Sequence, residues 1–322
     1  MGEITLSGIE SQPKTAARGL IVAIHGAGYT SRYWDSPHAP GDSLLRMGSD
    51  LGFRVIAIDR PGYGASRGAP DRELSLDGQV ATLARFLAEI GELSKVPIFL
   101  IGHSLGSLIA VQLAADDRSN VIAGLDVMGL PFQWRSDVRA AVEAWVRGEM
   151  GIFAVEEARR SLYFGPAGTY DPRVLQFEAS FSQRVPKPEL AESLESSFRL
   201  DQFALGVRVP VQYTVAQFES SITGGVQALN KGASMFKNSP RVVTHLQLGT
   251  GHNISLHRVG RAYHMRALAF FDEVLAGITI SATDEATDEH ASAVTRLVDG
   301  YGAARARKPS AVLNRTIQGR SS

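Results

Sequence analysis

Two serines of this chain sit in the pattern Gly-x-Ser-x-Gly: Ser66 in Gly64-Ala65-Ser66-Arg67-Gly68, and Ser104 in Gly102-His103-Ser104-Leu105-Gly106. The bare pattern arises readily by chance, so context decides between them. Ser104 follows the apolar run IFLI at 98–101 and precedes the helical run LIAVQLAA at 108–115. Strand, sharp turn and helix in that order hold the serine backbone tense and push its hydroxyl out at the strand end. Small residues at 102 and 106 are needed because strand and helix nearly touch there. Ser66 lies in a Gly/Pro-rich loop followed by Ala69-Pro70, with no helix start nearby, and reads as a loop serine.

A serine hydroxyl is a weak nucleophile at neutral pH. It needs a base within hydrogen-bond reach, and the base needs an orienting acid. Of eight histidines, His252 is the expected base: it sits in Gly249-Thr250-Gly251-His252-Asn253, read as a flexible loop leaving the run VVTHLQL. His245 lies inside that run and reads as structural, His257 and His264 fall on or near the last helix, and His103 flanks the nucleophile. Acyl chemistry also requires hydrogen-bond donors where negative charge develops on the carbonyl oxygen. The amide of Leu105 opens a helix, where N–H groups lack internal partners. The amide of Ala27 is the expected second donor, in His25-Gly26-Ala27-Gly28 just after an apolar run.

The elements that must hold these residues are legible as an alternation. Apolar runs at 20–24 (LIVAI), 53–58 (FRVIAI), 97–101 (PIFLI) and 121–128 (VIAGLDVM) read as strands buried on both faces, hence a parallel sheet. A weakly alternating stretch at 3–9 suits an edge strand. Helical spacing falls at 74–93 and 105–115, so helices cover both faces of an α/β sheet. Residues 131–205 break the alternation with two of the three Trp and charged helical stretches at 138–147 and 154–162. Strands resume at 209–216 and 241–248, and a last helix is expected at 262–275. The expected organisation is a core from residues 1–130 and 206–276, a helical insertion at 131–205, and a polar extension at 277–322 that includes one helix at 286–301.

Composition narrows the function. The chain has 322 residues, 33 Lys+Arg against 33 Asp+Glu, 44% apolar residues and no Cys. It can bury a sizeable core, and a zero net charge argues against a general nucleic-acid binder. No run approaches the roughly 18 apolar residues of a membrane span. The first residues lack the basic-then-apolar layout of a signal peptide, so a cytoplasmic protein is expected. Without cysteine there is no disulfide, thiol or thiolate metal chemistry. The last 18 residues carry Arg305, Arg307, Lys308, Arg315 and Arg320 and no acid, and read as a flexible tail.

Five ordered signatures resemble the α/β-hydrolase superfamily over roughly residues 3–275: IHGAG at 24–28, DRPGYGAS at 59–66, GHSLG at 102–106, VPVQYTVAQFE at 209–219 and GHN at 251–253. The resemblance implies an α/β-hydrolase fold, a mostly parallel central sheet flanked by helices. It makes 131–205 a helical cap over the nucleophile. Members of this superfamily usually carry an Asp after the strand that matches 209–216; this chain has Ala216-Gln217-Phe218-Glu219, so Glu219 is the expected acid. Asp126, at the end of VIAGLD, is the alternative, because a carboxylate inside an apolar strand is costly unless paired. Asp201 and Asp272 are more distant choices. Tyr29, Arg32, Trp34, His103, Trp134 and Trp145 are expected substrate-pocket residues.

The implied function is a serine hydrolase, with no cofactor and no metal, that cleaves an ester, thioester or lactone of a small to mid-sized apolar small molecule through an acyl-enzyme. Non-hydrolytic or C–C bond-cleaving chemistry on the same Ser-His-acid set is the alternative. A ligand-binding protein on this fold is a second one. The oligomeric state is left open.

Overall fold

The computed structural model describes residues 5–36, 43–149, 156–223 and 226–277. A seven-stranded sheet runs through them in the order β1-β3-β2-β4-β5-β6-β7. Its strands are β1 (Gly8–Ser11), β2 (Gly19–Ile24), β3 (Phe53–Ile58), β4 (Ile98–His103), β5 (Ile122–Met128), β6 (Val211–Phe218) and β7 (Val242–Gly251). Only β1 pairs antiparallel, along β3; the other pairings are parallel.

The helices are α1 (Leu44–Asp50), α2 (Leu76–Ser94), α3 (Leu105–Ala115), α4 (Ser136–Val146), α5 (Glu156–Phe164), α6 (Arg173–Phe181), α7 (Lys187–Gly206), α8 (Val226–Met235) and α9 (Gly260–Leu275). Successive residues of a strand point to opposite faces. In β2, Leu20, Val22 and Ile24 therefore join the core cluster that contains α2, α3 and α8 residues. Ile21 and Ala23 join the cluster on the other face with Leu44 and Leu45 of α1 and Leu268 and Phe271 of α9. α3 is buried all round, as its continuous apolar sequence requires. Ser75, immediately before α2, caps the helix: its hydroxyl accepts from the Gly78 amide at 3.0 Å.

The expected strands and the helices at 74–93, 105–115 and 262–275 recur within three residues, except that the edge strand expected at 3–9 falls at Gly8–Ser11. Three features differ. Helices α1 and α8 are short and were not legible as such. The segment 249–251 belongs to β7 rather than to a flexible loop, and His252 follows it directly with 3% exposure. Among the described residues, four helices lie between β5 and β6, and the last of them, α7, places Leu200 and Ala204 in the same core cluster as Leu108 and Val111 of α3. The expected helix at 286–301, and the start of the one at 154–162, lie outside the described residues. Among the described residues, no helix is long and apolar enough to cross a membrane.

Candidate active site

Ser104 stands between β4 and α3 with φ 54° and ψ −121°, backbone angles that L-residues rarely adopt. Its amide donates to the Met128 carbonyl of the neighbouring strand at 2.9 Å, which fixes the turn. The two flanking glycines are sterically required. A Cβ at Gly102 would lie 2.6 Å from the Ser107 backbone, and one at Gly106 would lie 2.2 Å from the Ile24 carbonyl oxygen. The other Gly-x-Ser-x-Gly serine lies in a short 3-10 helix, Gly64–Gly68: Ser66 is 2% exposed and donates to the Asp59 carbonyl at 2.8 Å.

Strand register brings the acid to the base. β6 and β7 run parallel with an irregularity between Ala216 and Phe218, after which Phe218 pairs with Gly251. The next residue on each strand is then Glu219 and His252, side by side. His252 Nδ1 lies 3.0 and 2.9 Å from the two Glu219 oxygens. Both side chains are almost fully buried. Ser221, which the sequence did not single out, completes the cluster. Its amide (2.9 Å) and hydroxyl (2.6 Å) donate to Glu219 Oε1, and its oxygen lies 3.2 Å from His252 Nδ1. Burial alone would push the Glu219 carboxyl up; the adjacent His252 and the hydrogen bonds from His252 and Ser221 outweigh it and hold it below the ordinary carboxylate range. An ionised acceptor at Nδ1 fixes the tautomer that leaves Nε2 as the proton acceptor. Gly129 makes room for the ring, since a Cβ there would fall 2.8 Å from His252 Cε1.

Asp126 is elsewhere engaged. It is fully buried, and its oxygens accept from Tyr263 Oη and Gln212 Nε2. It makes no hydrogen bond to His252, so the alternative acid does not meet the imidazole. Burial raises its pKa to about 7, against the pull of those two hydrogen bonds.

Ser104 and His252 line one narrow cavity of about 40 Å³, together with Ala27, Leu105, His103 and Trp134. Among the described residues, no hydrogen bond joins Ser104 Oγ to His252. A wider cavity of about 370 Å³ shares Ala27, Tyr29, Tyr163 and Leu190 with the first and is lined further by Trp145, Glu178 and Arg184. Tyr29 Oη accepts from Asn253 Nδ2 at 2.7 Å, which ties the wall to the residue after His252. His103 stacks on Tyr33 at 4.3 Å, and its Nε2 donates to the His252 carbonyl at 3.2 Å. Burial, then the neighbouring His252, keep the His103 ring neutral.

Two expected pocket residues lie elsewhere. Trp34 is fully buried in the core, edge-on to Tyr33 and beside His264. Arg32 is exposed, with its guanidinium 5.2 Å over the Phe177 ring. Neither lines either cavity. Leu190, which lines both, was not singled out, because nothing in a helical run marks the face that turns toward Ser104. A separate cavity of about 450 Å³, beside α2 and the Asp116–Ile122 segment, includes none of these residues. Among the described residues, no cluster of three or more His, Asp or Glu side chains is arranged to hold a metal ion.

The sequence pattern of the alpha/beta hydrolase family matches residues 21–262, three-quarters of the chain, and the chain belongs to that family. It is similar to the monoglyceride lipase of Mus musculus, 34% identical over 119 residues, which are 35% of this chain and 35% of that protein. It is also similar to the phospholipase YtpA of Bacillus subtilis, 29% identical over 114 residues, 33% of this chain and 38% of that one. The chain thus spans about two-fifths or less of the length of these relatives. In three dimensions it resembles a highly thermostable carboxyl esterase from Bacillus coagulans, with a TM-score of 0.66 at 17% identity, over 84% of this chain and 94% of that one. At that identity the likeness speaks for the fold.

Proposed function

We propose that the chain is a serine hydrolase that cleaves a carboxylic ester, thioester or lactone carrying a small to mid-sized apolar acyl group. The observation that carries this reading is the constellation at one cavity. A strained serine faces it, and so does a histidine whose far nitrogen is bonded to a buried carboxylate. Similarity to proteins named as a monoglyceride lipase and a phospholipase supports the ester bond as the target.

Ser104 Oγ attacks the carbonyl carbon while its proton passes to His252 Nε2. Glu219 holds the ring and stabilises the imidazolium. The oxyanion is received by the amides of Ala27 and Leu105, neither of which donates to another group among the described residues. Collapse expels the leaving alcohol or thiol, which takes the proton from His252. Water then attacks the acyl-enzyme with His252 as base, and the acid departs. Helices α4 to α6 and the first turns of α7 act as the cap, and the apolar side chains of Trp134, Val138, Val142 and Leu162 receive the acyl chain.

The test is a series of p-nitrophenyl esters of increasing acyl length. The native chain should turn over the short and mid-length members. Ser104→Ala should lose that activity to background while keeping its thermal unfolding midpoint. Folded native protein that hydrolyses none of them would sink the reading.

A further inference from the structure

The second oxyanion donor belongs to a loop that has no regular secondary structure to hold it. Resting on the hydrolase reading above, we propose that Glu189 of α7 is a positioning residue for the oxyanion hole, setting the direction of the Ala27 amide through Arg60 and Tyr63. A peptide group is planar, so fixing its carbonyl fixes the N–H on its other side. The peptide that carries the Ala27 N–H also carries the Gly26 carbonyl. That oxygen accepts from Arg60 Nη2 at 3.0 Å and from His25 Nδ1 at 2.8 Å, which takes up both of its lone pairs. In a trans peptide the N–H points opposite to the carbonyl, away from Arg60. The next peptide is held as well, because the Gly28 amide donates to Tyr63 Oη at 3.2 Å.

Both anchors end on one carboxylate. Arg60 Nη2 donates to Glu189 Oε1 at 2.8 Å, and Tyr63 Oη donates to Glu189 Oε2 at 2.9 Å. Gln79 closes the network, donating to Glu189 Oε2 at 3.0 Å and accepting from Arg60 Nη1 at 2.5 Å. Arg60 and Glu189 are fully buried side chains. A buried ion pair is a poor way to gain stability, since taking both charges out of water costs about as much as their attraction returns. Its advantage is direction: a guanidinium fork and a carboxylate bond along fixed lines. α7 belongs to the segment between β5 and β6, so the segment that covers the cavity also aims the donor inside it. The Gln183 amide, just before α7, donates to the Gly28 carbonyl at 2.7 Å and reinforces that link.

The test uses the full chain with Glu189→Gln, which puts an amide where both anchors need an acceptor. Tyr63→Phe serves beside it, because it keeps the ion pair and is the milder change. Three readouts are taken: amide hydrogen exchange of the 25–29 segment, kcat and KM on p-nitrophenyl butyrate, and affinity for butylboronic acid, which forms a tetrahedral anion on Ser104. In both variants exchange in 25–29 should rise. kcat should fall about 10- to 100-fold with KM within about threefold, and boronate affinity should fall by a similar factor. Folded variants with native exchange in that segment and native kcat overturn the proposal. So does a loss of activity that merely follows the unfolded fraction while boronate affinity per folded molecule stays native. If the native chain hydrolyses no ester, yet exchange in 25–29 rises in both variants, the hydrolase reading fails and the positioning stands.

Discussion

His252 is gripped at one nitrogen and open at the other, and the grip consists of two carboxylate oxygens and one hydroxyl. Replacing Glu219 by Gln keeps the shape but offers an N–H where the imidazole needs an acceptor, which favours the wrong tautomer. Steady-state kinetics on a p-nitrophenyl ester should show kcat about 10³- to 10⁴-fold lower. Asp126→Asn should leave kcat within about threefold of native, because Asp126 is bonded to Tyr263 and Gln212 instead. A large loss in that variant, with Glu219→Gln unaffected, would move the acid role to Asp126. At this scale the sequence was informative for Ser104, because Gly-x-Ser-x-Gly between a strand and a helix has few other meanings. It was less so for Ser221 and Glu189. Their roles come from which residues lie across from them in space, and neither spacing nor composition records that.

Among elements, β4, its turn and α3 form a tight joint. Here β2 passes so close to α3 that Gly106 has the Ile24 carbonyl where a side chain would begin. Gly106→Ala should therefore destabilise the fold by several kcal/mol or prevent it, read as a lowered midpoint in thermal unfolding. A native midpoint would mean that α3 can slide away from the sheet. The β6–β7 pair shows the limit of pattern reading. Both strands were visible as apolar runs, yet the irregularity between Ala216 and Phe218 that delivers Glu219 to His252 leaves no mark in hydropathy. Helix α1 escaped notice for a related reason: seven residues make under two turns, too short for periodicity to stand out.

Two buried carboxyls make the stability of the whole molecule depend on pH with opposite signs. Asp126 titrates higher when folded than when unfolded, from 3.8 to about 7. Its contribution is therefore fully present below 3.8 and is lost as pH rises to about 7. Glu219 titrates lower when folded. Its contribution is present above the unfolded value and is lost as pH falls through the folded one. Urea unfolding from pH 4 to 8 should therefore show a decline for the native chain that is absent in Asp126→Asn, with a difference on the order of a few kcal/mol. Parallel curves for the two proteins would mean that Asp126 is ionised throughout. Layer order and strand direction at this scale were legible, since continuous apolar runs separated by helical ones admit few other arrangements. The continuity of α7 from the cavity wall into the core was not, because a charged helix with scattered leucines carries no sign of where its surroundings change.

The backbone at Ser104 has a last consequence. Its conformation is one that glycine adopts freely and that other residues hold at a cost of about 1–3 kcal/mol. The surrounding joint, packed to the point that two glycines cannot gain a methyl group, forbids it to relax. Robustness and reactivity are thus set against each other at a single position. A lineage selected only to survive heat would gain by carrying glycine there, and the persistence of serine at 104 would record a continuing demand for the reaction.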